Sequence, residues 1–124
     1  MPRNDKDITP GNSGDGGSAV VLVYATCPSA EEAERIGGAL VEAGLAACVN
    51  IFSGMTSIYV WEGKRHRDDE AVMLIKTRHA LAKQVIAEVR KRHSYNNPAV
   101  LVLPVTGGSA PFLAWIEAQT VTPR

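Results

Sequence analysis

The chain is poor in cysteine and aromatic residues and carries no excess charge of either sign, and each shortage closes off a class of protein. The two cysteines, Cys27 and Cys48, do not make a disulfide framework in 124 residues, and each reads as a small buried hydrophobe. Thirteen basic residues balance thirteen acidic ones, which leaves no electrostatic footprint for nucleic acid or an anionic membrane. No uninterrupted apolar run approaches the roughly 18 residues of a membrane-spanning helix. No apolar stretch precedes residue 19, so the reading expects no secretory signal and a reduced, cytoplasmic protein. A Gly-rich phosphate loop, Cys-x-x-Cys and His-Glu-x-x-His are all missing, as is any repeat at a solenoid period.

What is present is an ordinary globular composition, 45% hydrophobic and 21% charged, in a length that suits one domain. Met1–Ser18 holds four glycines, two prolines and only two apolar side chains. Such a segment buries too little surface to offset its ordering entropy, so it reads as a disordered tail. The domain is expected over residues 19–120, with 121–124 as a C-terminal tail.

Leu45–Gly63, LAACVNIFSGMTSIYVWEG, organises the rest. It reads as one long, bent strand that ends in a hairpin turn, apolar on both faces as a doubly covered strand would be. Ser53-Gly54 interrupts it as a bulge. At ~19 residues it far exceeds the usual strand of about 5–6, which implies a user outside the subunit. Ala19–Ala25 reads as a central strand. Ser29 and Glu32 form a capping box for a helix with Ala33, Ile36, Leu40 and Val41 on its apolar face, ended by Gly44. After the turn at Gly63 come the polar stretch His66–Glu70, read as a projecting hairpin arm, and a second two-faced strand, Ala71–Thr77. A second helix from Thr77 or Arg78 carries Leu81, Val85, Ile86 and Val89. Pro98 ends a connector, Ala99–Val105 is a strand that Pro104 marks as an edge, and Thr106–Ser109 is a turn. Ser109 and Pro111 open a last short helix.

The order β-α-β-β-α-β plus a helix is the ferredoxin-like α+β plan, with two helices on one face of a four-stranded antiparallel sheet. Two helices cover one face, yet the strands are apolar on both, so self-association is expected.

The segments LAACVNI, SIYVWEGK, a strand ending in Lys76-Thr77, His93-x-Tyr95-x-x-Pro98, LPV and FLAWI occur in order from about Ala19 to Thr120. In this the chain resembles the CutA family, the divalent-cation tolerance proteins. The resemblance implies a ferredoxin-like homotrimer whose long hairpins pair between subunits. It also implies a role in tolerance of, or response to, divalent metal, copper in particular, without catalysis and with no required cofactor. A likeness of that trimer to PII signalling proteins supplies the alternative, an effector-binding module.

Copper-binding members of the family place a cysteine at the position of Ala25 and a histidine pair at those of Arg92 and His93. Only His93 matches, while Cys27 lies two residues along the strand and faces the same side. His93 and Cys27 are therefore the candidate metal ligands, of a type that suits copper or zinc over magnesium. Asn96, Ala99 and Phe112 also depart from the family's usual residues. A second candidate is an intersubunit pocket of Cys48, Trp61, Glu70, Lys76 and Tyr95, walled by Tyr59. His66 and His79 read as exposed. A thiol enzyme would need Cys48 beside His93. That pairing is weak for a cysteine in an apolar strand, and no catalysis is expected.

Overall fold

The computed structural model describes residues 8–10 and 19–122. Its elements run β1 (Ile8–Pro10), β2 (Val20–Cys27), α1 (Ala30–Glu42), β3 (Cys48–Trp61), β4 (Lys64–Arg78), a 3-10 turn (His79–Leu81), α2 (Ala82–Arg92), β5 (Val100–Pro104), β6 (Gly107–Ser109) and α3 (Ala110–Ala118). The four longer strands form one antiparallel sheet in the order β3-β4-β2-β5. This is the ferredoxin-like α+β arrangement, with the apolar run ahead of Pro28 at its centre and the Pro104 strand at its edge.

Alternation places one side chain of every two against the helices. Val21, Val23, Ala25 and Cys27 of β2 and Ala71, Met73 and Ile75 of β4 meet Ala33, Ile36 and Leu40 of α1 and Val85 and Val89 of α2 in one buried cluster. Full burial of each large member contributes about 1.5–3 kcal/mol. Gly37 lets α1 approach β3: a Cβ there would lie 3.1 Å from Val49 Cγ1.

The long strand bends where expected. The register slips between Phe52 and Met55, with Ser53 and Gly54 opposite Ala71 alone, and Gly54 sits at φ +78°. The slip exchanges parity, so Val49 and Ile51 continue on one face as Thr56, Ile58 and Val60. At the hairpin tip Glu62 and Gly63 have φ 51° and 77°, the pair of left-handed residues that a two-residue type I′ turn requires.

Three local expectations are corrected. The strand expected over Ala71–Thr77 runs from Lys64 to Arg78 and includes the projecting arm His66–Glu70, paired residue by residue with β3. The second helix starts at Ala82 and not at Thr77 or Arg78. Thr77 is committed to the sheet: it is buried, and its hydroxyl donates to the Leu45 carbonyl at 2.6 Å. Ser109 makes no side-chain cap for α3; instead Gly107–Ser109 pairs antiparallel with Ile8–Pro10. The rest of the segment read as a disordered tail lies outside the described residues. At the other end, the Val121 amide donates to Gly44 O (2.9 Å) and Arg78 Nε to Thr120 Oγ1 (2.8 Å). Gly44, at φ +71°, has no room for a side chain beneath Val121.

The second face of the sheet is covered only in part, by α3, where Lys76 Nζ lies 5.3 Å from the Phe112 ring centroid. Beyond it Phe52 is 54% exposed and Leu101 59%. The hairpin from Met55 to Glu70 extends past β2, which pairs only with Ala71–Arg78 of β4. On it Ile58 is 59% exposed and Val60 70%. No helix among the described residues is long and apolar enough to cross a membrane.

Candidate functional site

The chemically richest point of the fold lies where β2 hands over to α1, beneath the connector that follows α2. Cys27 is the last residue of β2 and fully buried, because it sits on the helix-facing side of the central strand. Ser29 caps α1 by accepting the Glu32 amide at 3.1 Å. That fixes Glu32 in the first helical turn with its side chain turned inward. His93 is the C-cap of α2: the backbone leaves the helix there with φ −77° and ψ 144°, and its ring meets Cys27 and Glu32 in the same buried space. One ligand atom each from Cys27, Glu32 and His93 lies within 4.8 Å of the others, and all three residues are buried.

Hydrogen bonds fix the state of the ring. His93 Nε2 lies 2.7 Å from the Thr26 carbonyl, which only accepts, so Nε2 carries the proton and donates. The Tyr95 amide donates to Nδ1 at 3.0 Å, so Nδ1 bears the lone pair. Nδ1 also lies 3.5 Å from Glu32 Oε2. That oxygen accepts from both the amide (3.2 Å) and the hydroxyl (3.0 Å) of Ser94, and Arg35 reaches Glu32 Oε1 at 3.7 Å. The Cys27 thiol is pushed up to about 11, first by burial and then by the carboxylates of Glu32 and Glu70, with Arg35 opposing. It is a protonated thiol among oriented acceptors.

Both residues expected from the sequence as candidate ligands, Cys27 and His93, lie in this cluster. The third, Glu32, was hidden by its capping signature. The amide half of the capping box forms, but the carboxylate goes to Ser94 and not back to the cap. An inward-facing glutamate at the third position of a helix whose neighbours Ala33 and Ile36 are core was the available signal.

The five residues expected to line an intersubunit pocket fall in three places within one chain. Cys48 stands opposite Lys76 across β3 and β4. Trp61 is at the hairpin tip, exposed. Glu70 and Tyr95 are electrostatic neighbours: burial, then the carboxylates of Glu70 and Asp68, raise the Tyr95 phenol. Glu70 lines an open cavity of about 120 Å³ at the bulge with Pro28, Ser29, Ser53, Gly54 and Asp69. Tyr59, the expected wall, donates to Asp68 and stacks on His66 with centroids 5.4 Å apart. The Asp68 bond is the main cause that pushes its phenol up to about 12. His79 is exposed and His66 half-buried. Cys48 and His93 are not brought together: their strand partners Lys76 and Val72, the latter through Thr26, are four positions apart on β4, roughly 13 Å.

A ferredoxin-like sheet with an overlong hairpin, a half-bare second face and a buried Cys–Glu–His cluster defines a small α+β protein of one recognisable class. The chain belongs to the family of CutA1 divalent ion tolerance proteins, whose family model matches residues 21–119. It is 45% identical over 96 residues to the "Divalent-cation tolerance protein CutA" of Archaeoglobus fulgidus, covering 77% of this chain and 93% of that one. It is 41% identical over 100 residues to the chloroplastic protein CutA of Arabidopsis thaliana, covering 81% of this chain and 55% of the relative. The chain thus spans little more than half the length of the plant relatives it matches. Among solved structures, the divalent cation tolerance protein (Cut A1) of Thermus thermophilus superposes with a TM-score of 0.80 at 39% identity, over 82% of this chain and 99% of that one.

Proposed function

We propose that this chain acts in divalent-cation tolerance as a homotrimer that responds to metal ions and catalyses no reaction of its own. The observation that carries the assembly is the bare half of the sheet together with its hairpin. Phe52, Leu101 and Leu103 on the open face, Ile58, Val60 and Trp61 on the arm, and Phe112 and Trp115 on α3 are all exposed in the isolated chain. A helix as apolar as Ala110–Ala118 is at home only when covered. A patch of this kind on a chain of near-zero net charge favours closed self-association, and an edge strand such as β3 favours pairing with another copy. The resemblance to the CutA family supports the number three, and family membership supports the tie to divalent cations.

The absence of catalysis rests on the thiols. Cys27 is buried and held protonated, the opposite of an activated nucleophile, and Cys48 has no imidazole beside it. Sedimentation equilibrium of the full chain is expected to return the mass of three chains, and a monomer at micromolar concentration would overturn the assembly. Removing the gene from its host is expected to lower growth in raised Cu(II) or Zn(II), with recovery on restoring it. Unchanged metal sensitivity would remove the tolerance role.

A further inference from the structure

The resemblance to copper-binding relatives points to the positions of Ala25, Arg92 and His93, and of these only His93 serves here. Ala25 has no ligand atom and is fully buried in the core, and Arg92 is a cation turned outward onto Glu88 at 3.0 Å. We infer that Cys27 Sγ, one carboxylate oxygen of Glu32 and His93 Nδ1 form a differently composed, buried three-ligand site for a borderline divalent ion of the zinc type, sharing only His93 with those positions and leaving a fourth position to water. The inference rests on the metal-responsive reading above and names the site and ion class for it.

Four features of the cluster support it. Thiolate, imidazole and carboxylate are the ligand types zinc takes, and three protein ligands plus water is its usual open arrangement. The spacing is close to that of a tetrahedral shell. Ligands about 2.0–2.3 Å from a common ion lie roughly 3.3–3.8 Å apart; Nδ1 and Glu32 Oε2 are already at 3.5 Å, and one ligand atom from each of the three residues lies within 4.8 Å of the others. The outer partners are those of a metal centre. His93 donates its other ring N–H to a backbone carbonyl, and the carboxylate is held by the Ser94 amide and hydroxyl; such partners orient ligating groups and set the tautomer. Finally, there is access. Glu32 also lines an open cleft with Ser29, Glu31 and Arg35, where two carboxylates against one guanidinium favour a cation over an anion.

Loading exchanges charge in a defined way. The thiol proton leaves to solvent, so a dication meets the thiolate and the Glu32 carboxylate and the site closes neutral. The ion takes the Nδ1 lone pair now used by the Tyr95 amide, so loading must release that hydrogen bond and shift the start of the His93–Pro98 connector. Tyr95, whose ring centroid lies 5.0 Å from that of His93, moves with it.

The test uses the intact protein and Co(II) as a spectroscopic stand-in for Zn(II). Wild type is expected to bind about one Co(II) per chain with a thiolate-to-metal charge-transfer band, displaced by Zn(II), and with faster amide exchange at Tyr95. Cys27→Ala is expected to abolish the band and weaken binding at least tenfold, and Glu32→Gln to weaken binding about tenfold while the band survives. Cys48→Ala is expected to change nothing. Circular dichroism and chain mass confirm that each variant is folded and assembled, and a Cys27→Ala protein that fails this check is replaced by Cys27→Ser. Binding and band that persist in folded Cys27 and Glu32 variants would overturn this site and leave the tolerance reading standing. No uptake by wild type would also overturn it, and the growth assay would then decide the broader reading alone.

Discussion

Strand β4 passes through two environments, and the contrast explains most of the molecule. From Ala71 to Thr77 its odd-numbered residues are buried and its even-numbered ones half-buried; from Lys64 to Glu70 none is buried. Pairing with β3 runs through both halves apart from the bulge opposite Ala71, but only the first half is also paired on its other edge, with β2. What differs is cover. The first half has α1 and α2 on one side and β2 beside it; the second has β3 alone. A two-stranded ribbon is marginal by itself in water, yet this one displays Ile58, Tyr59, Val60 and Trp61. One strand thus serves as core of its own subunit at one end and, on the proposed reading, as a surface for other subunits at the other.

The largest effect expected from this contrast is in the covered half. Met73→Ala removes a fully buried side chain and is expected to cost about 2–5 kcal/mol. It is read as a lower denaturant midpoint at unchanged slope, with chain concentration held fixed because assembly links stability to it. A cost well under 1 kcal/mol would break the comparison, since the two halves would then tolerate change alike. Next in size is Ile58→Asp on the arm. This is expected to drop the mass from three chains towards one while far-ultraviolet circular dichroism keeps the helices. The charge spoils an interface without touching the subunit's own core. A folded trimer of full mass carrying that aspartate would show that the arm is not shared.

The covered half was also the half that could be read in the sequence. AVVLVYA and AVMLIKT differ enough from their flanks to declare strands, and Ser53-Gly54 declared the bulge. His66–Glu70 did not declare itself as strand, because both faces of that segment are polar or charged: Arg65, Arg67 and Asp69 alternate with His66, Asp68 and Glu70. With no contrast between faces, a period of two is invisible, and only pairing with Met55–Tyr59 makes it a strand. Thr77 and Arg78 looked like a helix start because the tertiary bond from Thr77 to Leu45 lies 32 residues away in sequence. The buried Cys27–Glu32–His93 cluster was legible in two of its members. Glu32 was obscured because a glutamate three residues after a capping serine has a local explanation, and its true partner, Ser94, is 62 positions on.

The smallest effect expected lies at the seam between the halves, at Cys27, and it sharpens the contrast by comparing two thiols. Cys27 pairs with Ala71, the first covered residue of β4, whereas Cys48 is half-buried at the start of β3. Burial, and then Glu32 and Glu70, raise the Cys27 thiol from its ordinary 9.0 to about 11. The neutral thiol is the form the fold favours. Its contribution is therefore fully present below about pH 9 and is lost as the pH climbs from 9 through 11. In metal-free protein near neutral pH, iodoacetamide is expected to modify Cys48 and leave Cys27 untouched until the chain unfolds. Melting temperatures taken from pH 8 to pH 11 are expected to fall less steeply for Cys27→Ala than for wild type, because the substitution removes a group whose ionisation the fold resists. Equal slopes, or rapid native-state alkylation of Cys27, would place that thiol in the open half of the molecule and move the boundary between the two environments up β2.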